Sequence, residues 1–209
     1  MRTDGLLLAA GAGRRMGQPK ALVRDPDGTS WLLRAVQTLQ DGGCSHVAVV
    51  LGAAVEEPTE LLDGTGASVI VATDWADGMS ASLRAGLHDL DDAADAVVVT
   101  LVDLPDVSAA VVRRVLGGSG MSLSGVGDVS GLGGSSGVGD TNPVGVATLR
   151  RAAYQGTPGH PVVLGRHHWQ PVIDSAVGDR GARDYLAQHD VELIECGDLA
   201  TGRDVDSPH

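Results

Sequence analysis

Short apolar runs alternate along this chain with amphipathic stretches, and this alternation limits the possible folds more than any other feature. The first run covers residues 6–10, the second covers 47–51, and the most hydrophobic covers 96–102. A strand that is covered by helices on both faces is a continuous apolar run, as in parallel sheets. The alternation therefore predicts an α/β fold with three layers, in which a mostly parallel, Rossmann-like sheet lies between two layers of helices.

The same patterning predicts the remaining elements. Apolar residues recur at helical spacing between Ser30, a residue type that caps helices, and Gly42, which predicts one helix there. The other predicted helices are 55–62, 80–90, 167–177, 182–189 and one capped by Ser108 that runs through Leu116. The other predicted strands are 69–72, 144–148, 162–164 and 191–196.

A chain of 209 residues is long enough to bury a core of its own, so we expect one domain over residues 1–209. Glycine and serine dominate the segment at about 117–143, where the alternation stops. This composition predicts a flexible loop within the domain, because the alternation resumes after it.

The overall charge excludes some functions. The net charge is −12, the isoelectric point is near 4.7 and only five residues are aromatic, which argues against a nucleic-acid-binding surface. No apolar stretch approaches the length of a membrane span, and Cys44 and Cys196 match no metal or redox spacing. We therefore expect a cytoplasmic protein with two buried thiols and no membrane partner.

The only lysine of the chain, Lys20, ends a glycine-rich segment that follows the first apolar run. Glycines let backbone N–H groups approach an anion, and the ammonium supplies a compact positive charge, so a phosphate is the expected ligand. The segment matches neither the P-loop, which needs Gly-Lys before Ser or Thr, nor the dinucleotide fingerprint, because Gly11, Gly13 and Gly17 have a different spacing. It is a third kind of loop, longer than these two, and the alternative interpretation is a tight connection between a strand and a helix.

Two carboxylate groups are candidates for a metal site. Asp103 ends the most hydrophobic run, and the carboxyl ends of the strands form the ligand crevice of an open α/β sheet. Asp103 is either a ligand for Mg²⁺ or a helix-capping or turn residue before Pro105. Asp204 and Asp206, near the carboxyl terminus, are either further ligands or part of a solvated tail.

Together these segments resemble the MobA-like nucleotidyltransferase family. Residues 8–20 follow the pattern LAAG-x-G-x-RMG-x-x-K, Asp-Leu-Pro stands at 103–105, and Asp-Val-Asp-Ser-Pro stands at 204–208. Within that family the chain is most similar to the molybdenum cofactor cytidylyltransferases of the MocA type, through residues 74–87, 159–162 and 178–183. The resemblance implies the nucleotide-diphospho-sugar transferase-like form of the α/β fold.

The resemblance also implies roles for individual residues. The catalytic residues would be Arg15, Lys20 and Asp103, and Mg²⁺ would be held by Asp103 and Asp206. The acceptor substrate would be faced by His160, Asp179 and Arg183. The residues implied to bind the nucleotide are Leu8, Ala9, Ala10, Gly11, Gly13, Arg15, Lys20, Ser80 and Ser82.

The activity implied by the resemblance is transfer of CMP from CTP to the molybdenum cofactor, with release of pyrophosphate. Ala10 favours CTP, because relatives that transfer GMP usually carry glycine there. The alternatives are guanylyl or other nucleotidyl transfer to a different small phosphorylated acceptor, or a nucleotide-binding chaperone without turnover. Transient contact with a molybdoenzyme or its chaperone would follow from such an acceptor.

Overall fold

The computed structural model describes residues 1–117 and 143–206, which form seven strands and six α-helices. The strands are β1 (Thr3–Leu8), β2 (Val47–Leu51), β3 (Ser68–Val71), β4 (Ala96–Leu101), β5 (Leu149–Tyr154), β6 (Thr157–Gly165) and β7 (Glu192–Glu195). The helices are α1 (Trp31–Asp41), α2 (Glu56–Leu61), α3 (Met79–His88), α4 (Ala109–Gly117), α5 (Trp169–Ser175) and α6 (Arg183–Ala187).

All seven strands belong to one sheet, in the order β3-β2-β1-β4-β6-β5-β7. The pairings of β1 with β2 and β4, of β2 with β3, and of β5 with β7 are parallel. Strand β6 runs antiparallel to both of its neighbours, β4 and β5. The predicted mostly parallel sheet is therefore confirmed, and its most hydrophobic strand, β4, lies at the centre as expected.

Two hydrophobic clusters cover the two faces of the sheet and give the fold its three layers. Helices α1, α2 and α4 pack on one face, and α3, α5 and α6 pack on the other. Because successive side chains of β1 point to opposite faces, Leu7 belongs to the first cluster while Leu6 and Leu8 belong to the second. Every residue of β2 is buried, which explains its continuous apolar sequence.

The helix that was predicted to begin after Ser30 begins there, and the Ser30 hydroxyl accepts a hydrogen bond from the backbone N–H of Leu33 at 3.4 Å. The predicted strand at 144–148 is wrong, because that segment is irregular and the strand begins at Leu149. Strand β5 carries two arginines, so it is not a continuous apolar run and a search for such runs does not detect it. Arg150 is buried nevertheless, since its guanidinium pairs with the carboxylate of Glu192.

Cys44 and Cys196 are both buried free thiols, as expected. Most of the predicted glycine-rich loop, residues 118–142, lies outside the described residues. Within the described part of the chain, no helix has the length and apolar character that crossing a membrane requires.

The pairing of β1 with β4 fixes the position of the functional site. Leu8 and Leu101, the last residues of these two strands, are aligned in the parallel ladder. The chain continues from them into the loop that leads to Lys20 and into the turn that contains Asp103. Both segments therefore emerge at the same edge of the sheet, which is where ligands bind in open α/β sheets.

Candidate functional site

Backbone hydrogen bonds hold the glycine-rich loop in a defined shape. The N–H of Ala9 donates to the carbonyl of Val50 at 2.9 Å, so the start of the loop is tied to β2. Farther along, the N–H of Lys20 donates to the carbonyl of Gly11 at 3.1 Å, which brings the two ends of the loop together. The loop is thus closed before any ligand binds.

Gly13 is required for this closure. Its φ is +57°, in the left-handed region that side chains disfavour. A Cβ atom at Gly13 would also collide with the backbone carbonyl of Gln18 and lie 3.3 Å from the backbone nitrogen of Lys20. The glycine therefore allows the chain to double back and place Lys20 beside the loop backbone.

The side chain of Lys20 lies between two carboxylates. Its ammonium contacts the carboxylate of Asp103 and donates to Oδ1 of Asp206 at 2.7 Å. The other oxygen of Asp206 accepts a hydrogen bond from Arg15 at 2.9 Å. Residues separated by 83 and 186 positions from Lys20 are thereby brought to one point.

Burial differs among these groups and determines how strongly they interact. The side chain of Asp103 is only 8% exposed and that of Lys20 is 20% exposed, whereas Arg15 is 78% exposed. Solvent weakens the Arg15 contact, so the interaction of Lys20 with Asp103 is the stronger one. This geometry excludes a helix-capping role for the Asp103 carboxylate, because its partner is a side chain on another element.

The contacts also shift the pKa values of the groups. Burial alone lowers the pKa of Lys20, but hydrogen bonds to Asp103 and Asp206 outweigh it and raise that pKa above the usual value. The hydrogen bond from Lys20 lowers the pKa of Asp206. Lys20 and Asp206 are therefore both ionised near neutral pH.

Three carboxylates form an acidic trio next to Lys20. Asp103, Asp204 and Asp206 each offer an oxygen, and these oxygens lie within 4.8 Å of one another. Hard oxygen ligands of this kind suit Mg²⁺ or Mn²⁺. A backbone hydrogen bond of 3.0 Å from the N–H of Val205 to the carbonyl of Asp103 fixes the carboxyl-terminal segment against the turn after β4. The trio fits a divalent cation.

A cavity of about 370 Å³, here called the nucleotide cavity, opens beside the loop. Its wall includes most of the residues implied to bind the nucleotide, together with Asp103, and it also includes Trp75. From the sequence-derived set it contains Leu8, Ala10, Gly11, Gly13, Lys20 and Ser82.

Three residues of that set are placed differently. The side chain of Ala9 is buried in the core, and Arg15 lies at the exposed edge of the acidic trio. The hydroxyl of Ser80 is fully buried and accepts a hydrogen bond from the backbone N–H of Gly181 at 3.1 Å. Ser80 thus joins α3 to the segment at 178–183 and does not line the nucleotide cavity.

A second cavity, of about 310 Å³ and here called the acceptor cavity, lies beside the first. The two cavities share Leu8, Met79, Leu101 and Asp179. All three residues expected to face the acceptor line this second cavity, and Asp204 of the acidic trio lines it too. These three are His160, Asp179 and Arg183.

His160 is uncharged near neutral pH. Burial is the main cause that lowers its pKa to about 4, and the positive charges of Arg151 and Arg183 act in the same direction. Its Nδ1 lies 3.4 Å from the carbonyl oxygen of Val99. This histidine therefore contributes a neutral polar ring to the wall of the acceptor cavity.

Two residues of the site were not identified from the sequence. Trp75 lines the nucleotide cavity, although it stands inside the segment at 74–87 that carries the family resemblance. Arg151 lines the acceptor cavity from β5, the strand that the apolar-run criterion placed wrongly. A search for alternating residues around the two arginines at 150 and 151 would have indicated a strand with one arginine on each face.

The family model of the MobA-like NTP transferase domain matches residues 5–193, which is most of the chain and includes all residues that line the two cavities except Gly202 and Asp204. The chain belongs to this family. Among curated proteins, it is 35% identical over 227 aligned positions to the nicotine blue oxidoreductase of Paenarthrobacter nicotinovorans. That alignment covers 97% of this chain and 91% of the relative.

Solved structures share the fold of this MobA-like domain. A nucleotidyl transferase from Methanothermobacter matches with a TM-score of 0.71 and 19% identity, over 99% of this chain and 92% of the other. Rv0371c from Mycobacterium tuberculosis, solved in complex with manganese, matches with a TM-score of 0.70 and 23% identity, over 98% of this chain and 94% of the other. The fold is therefore that of nucleotidyltransferases.

Proposed function

We propose that this chain is a divalent-cation-dependent nucleotidyltransferase, which transfers CMP from CTP to a molybdopterin-type cofactor and releases pyrophosphate. The observation that carries the proposal is the meeting of Lys20 with Asp103 and Asp206 at the wall of the nucleotide cavity. Binding a triphosphate next to an acidic surface has two requirements. One is a positive charge that neutralises the phosphates, and the other is a set of carboxylates that hold a cation.

In the proposed reaction, an oxygen of the acceptor phosphate forms a bond to the α-phosphorus, and the bond from that phosphorus to the pyrophosphate oxygen breaks. Both reactants are anions, so their repulsion is the main barrier, and no strong general base is needed. Lys20, Arg15 and the N–H groups of the loop reduce this repulsion and stabilise the charge that develops on pyrophosphate.

The acidic trio supports a role for Mg²⁺, with Asp103 and Asp206 as the proposed ligands and Asp204 as the alternative to Asp206. A cation there would neutralise charge on the triphosphate and orient it. The manganese complex of a protein with the same fold supports a divalent ion in this family of structures.

The wall around position 10 supports CTP as the donor. A Cβ atom at Gly52 would lie 2.9 Å from the Cβ of Ala10 and closer still to Trp75, so these three residues are tightly packed. The methyl group of Ala10 occupies space at the cavity wall that a glycine would leave open. The methyl group makes the cavity narrower, and a narrower cavity favours the smaller pyrimidine base of CTP. GTP is the alternative donor.

Pyrophosphate release in the presence of Mg²⁺ and the molybdenum cofactor tests the donor and the reaction together. CTP, GTP, ATP and UTP are supplied separately, and we expect release with CTP at least tenfold faster than with the others. Release with GTP alone contradicts the cytidylyl assignment. If the protein binds CTP but releases no pyrophosphate from any of the four nucleotides, the chaperone alternative gains support instead.

An oxidoreductase activity is the second candidate, and the identity to the nicotine blue oxidoreductase favours it. Such an activity would move a hydride from a nicotinamide dinucleotide to an organic dye, which is reduced by two electrons while the nicotinamide is oxidised. Incubation of the protein with nicotine blue and NADH or NADPH tests it by the loss of absorbance at 340 nm, where NADH and NADPH absorb. We expect no protein-dependent loss, because the acidic trio is suited to a triphosphate with a cation.

A further inference from the structure

Arg151 is a partly buried cation that pairs with no carboxylate in the part of the chain that the structure describes. Its backbone pairs with Val162 of β6, and its side chain lines the acceptor cavity. The guanidinium donates from Nε to the carbonyl of Gly159 at 3.2 Å. Across the described residues, no carboxylate oxygen lies within ion-pairing distance of Arg151, so its terminal nitrogens have no anionic partner.

Arg183, the first residue of α6, brings a second unpaired positive charge to the same cavity. In residues 1–117 and 143–206, its side chain has neither a hydrogen bond nor an ion pair. Burial and the charge of Arg183 both lower the pKa of Arg151, which shows that the two guanidinium groups act on the same region. Like charges that converge without a counter-ion are unfavourable, so the pair is set up to receive an anion.

Two neighbouring arginines do have carboxylate partners, which distinguishes them from Arg151 and Arg183. Arg150, next in the chain to Arg151, is buried on the opposite face and pairs with Glu192. Arg180, in the same segment as Arg183, pairs with Asp184 at 3.3 Å. Arg151 and Arg183 line the acceptor cavity and, among residues 1–117 and 143–206, contact no carboxylate, which leaves their charge available to a ligand.

The rest of the acceptor cavity shows what kind of molecule would carry the anion. Two carboxylates, Asp179 and Asp204, line the cavity, and Asp204 also belongs to the acidic trio. His160 is neutral, and apolar side chains form about half of the wall. The apolar wall residues include Leu83, Val99, Val162, Leu164 and Leu186. The cavity thus joins an apolar surface to a cationic corner, and it reaches Asp204 of the acidic trio.

We propose that Arg151 and Arg183 form an oxyanion subsite that binds a phosphate group of the acceptor, while the uncharged part of the acceptor packs on the apolar wall. The planar fork of Arg151 suits bidentate binding of phosphate oxygens. The identity of the acceptor in this inference rests on the proposed function. Binding of phosphate by the subsite, however, does not depend on whether nucleotidyl transfer occurs.

Binding of inorganic phosphate tests the subsite directly. The parent protein is Lys20→Ala, which removes the competing phosphate site at the loop, and binding is measured by calorimetry without nucleotide or metal. Arg151→Gln and Arg183→Gln are introduced separately into it. The loss of one charge-assisted hydrogen-bonding group weakens binding by about 10- to 100-fold, and we expect this for Arg151→Gln. Arg183 is exposed, so the expected loss for Arg183→Gln is smaller, at about 3- to 10-fold.

Arg113→Gln is the matched control. Arg113 is an exposed arginine on α4, in the helix layer on the other face of the sheet, and it donates to the carbonyl of Asp41 at 2.7 Å. We expect phosphate affinity within about twofold of the parent, since no phosphate site is proposed there. An equal loss in Arg113→Gln would show a general charge effect and would overturn the subsite.

Absence of phosphate binding by the parent, or unchanged affinity in both Arg151→Gln and Arg183→Gln, also overturns the proposal. Because Arg151→Gln removes the bond to Gly159, its thermal midpoint is measured alongside. If that variant does not fold, the exposed Arg183→Gln decides. CTP binding is measured separately in proteins that retain Lys20. Failure of CTP to bind contradicts the proposed function and leaves the result with inorganic phosphate intact.

Discussion

The nucleotide cavity and the acceptor cavity lie side by side at the same edge of the sheet, but they are built in different ways. Much of the wall of the nucleotide cavity comes from one continuous loop between Leu8 and Lys20. The acceptor cavity is assembled from α3, β4, β5, β6, the segment at 178–183 and the carboxyl-terminal segment. The comparison shows that a local segment can build much of one cavity wall, whereas the other cavity requires segments from the whole fold.

The cations of the two cavities differ as well. Lys20 contacts two carboxylates, so its positive charge has anionic partners within the protein. Arg151 and Arg183 lack such partners among residues 1–117 and 143–206. We therefore expect substitutions in the nucleotide cavity to affect chemistry and triphosphate binding, and substitutions in the acceptor cavity to affect the acceptor alone.

The largest effect is expected for Asp103→Asn. The substitution keeps the shape of the side chain but removes the charge that is proposed to hold the cation. The expected fall in kcat is about 10²- to 10³-fold, measured by pyrophosphate release at saturating CTP and Mg²⁺. Asp63→Asn, at an exposed carboxylate after α2, is the control and should retain full activity. Activity of Asp103→Asn within about twofold of wild type would remove Asp103 from the catalytic residues.

Acidification is expected to destabilise the protein through His160 in the acceptor cavity. The folded-state pKa of about 4 lies below the unfolded value of about 6.5, so the unfolded state takes up the proton first. Stability is therefore unaffected above about pH 6.5 and falls as the pH drops from there toward 4. The full contribution is on the order of 3 kcal/mol, from 2.303RT per pKa unit.

Urea unfolding of wild type and His160→Gln at pH 7 and pH 4.5 measures this contribution. The difference in unfolding free energy between the two pH values should be smaller for the variant. An equal pH dependence in both proteins would show that His160 is not held neutral by its surroundings. CTP binding at pH 7 should be the same in both, since His160 does not line the nucleotide cavity.

Gly13→Ala is expected to damage the nucleotide cavity specifically. The substitution forces a side chain into the left-handed region and against the carbonyl of Gln18, which costs about 1–3 kcal/mol. If the loop opens to relieve the strain, we expect CTP affinity to fall by about 10-fold or more. Gly28→Ala is the matched control, because Gly28 also has a positive φ but no atom within 4 Å of the added methyl.

Both glycine variants should lose thermal stability, but only Gly13→Ala should lose affinity for CTP. Equal affinities in the two variants would show that the closed shape of the loop is not needed for binding. Phosphate binding by the arginine subsite should be unchanged in both variants, so an effect on the nucleotide cavity can be told apart from an effect on the acceptor cavity.

The smallest effects are expected from two neighbouring serines. Ser80→Ala removes the hydrogen bond that holds the backbone N–H of Gly181, at about 1 kcal/mol. The segment at 178–183 then loosens, and KM for the acceptor should rise by a few-fold with KM for CTP unchanged. Ser82→Ala should show the reverse pattern, because Ser82 lines the nucleotide cavity. The same KM change in both variants would contradict a division of roles between the serines.

The sequence predicted the nucleotide side of the site more completely than the acceptor side. The glycine-rich segment after the first apolar run predicted a site around Lys20, and the end of another apolar run predicted Asp103 as a candidate ligand. Arg151 was missed because the two charges of β5 interrupt its apolar pattern. The placement of Ser80 could not be predicted either, since a helix sequence does not show whether a buried hydroxyl faces a ligand cavity or a neighbouring segment.

The α/β class, the central position of β4 and the tight glycine-rich loop were determined by the sequence itself, because burial on both faces requires continuous apolar strands and a tight loop requires glycine. Only the tertiary structure decided that Asp204 and Asp206 join Asp103, and that Arg151 and Arg183 share one cavity. These groups stand far apart in the chain, so their interactions depend on how the strands pair. Strand order and the reversal of β6 arise from packing of the complete core, which no local segment encodes.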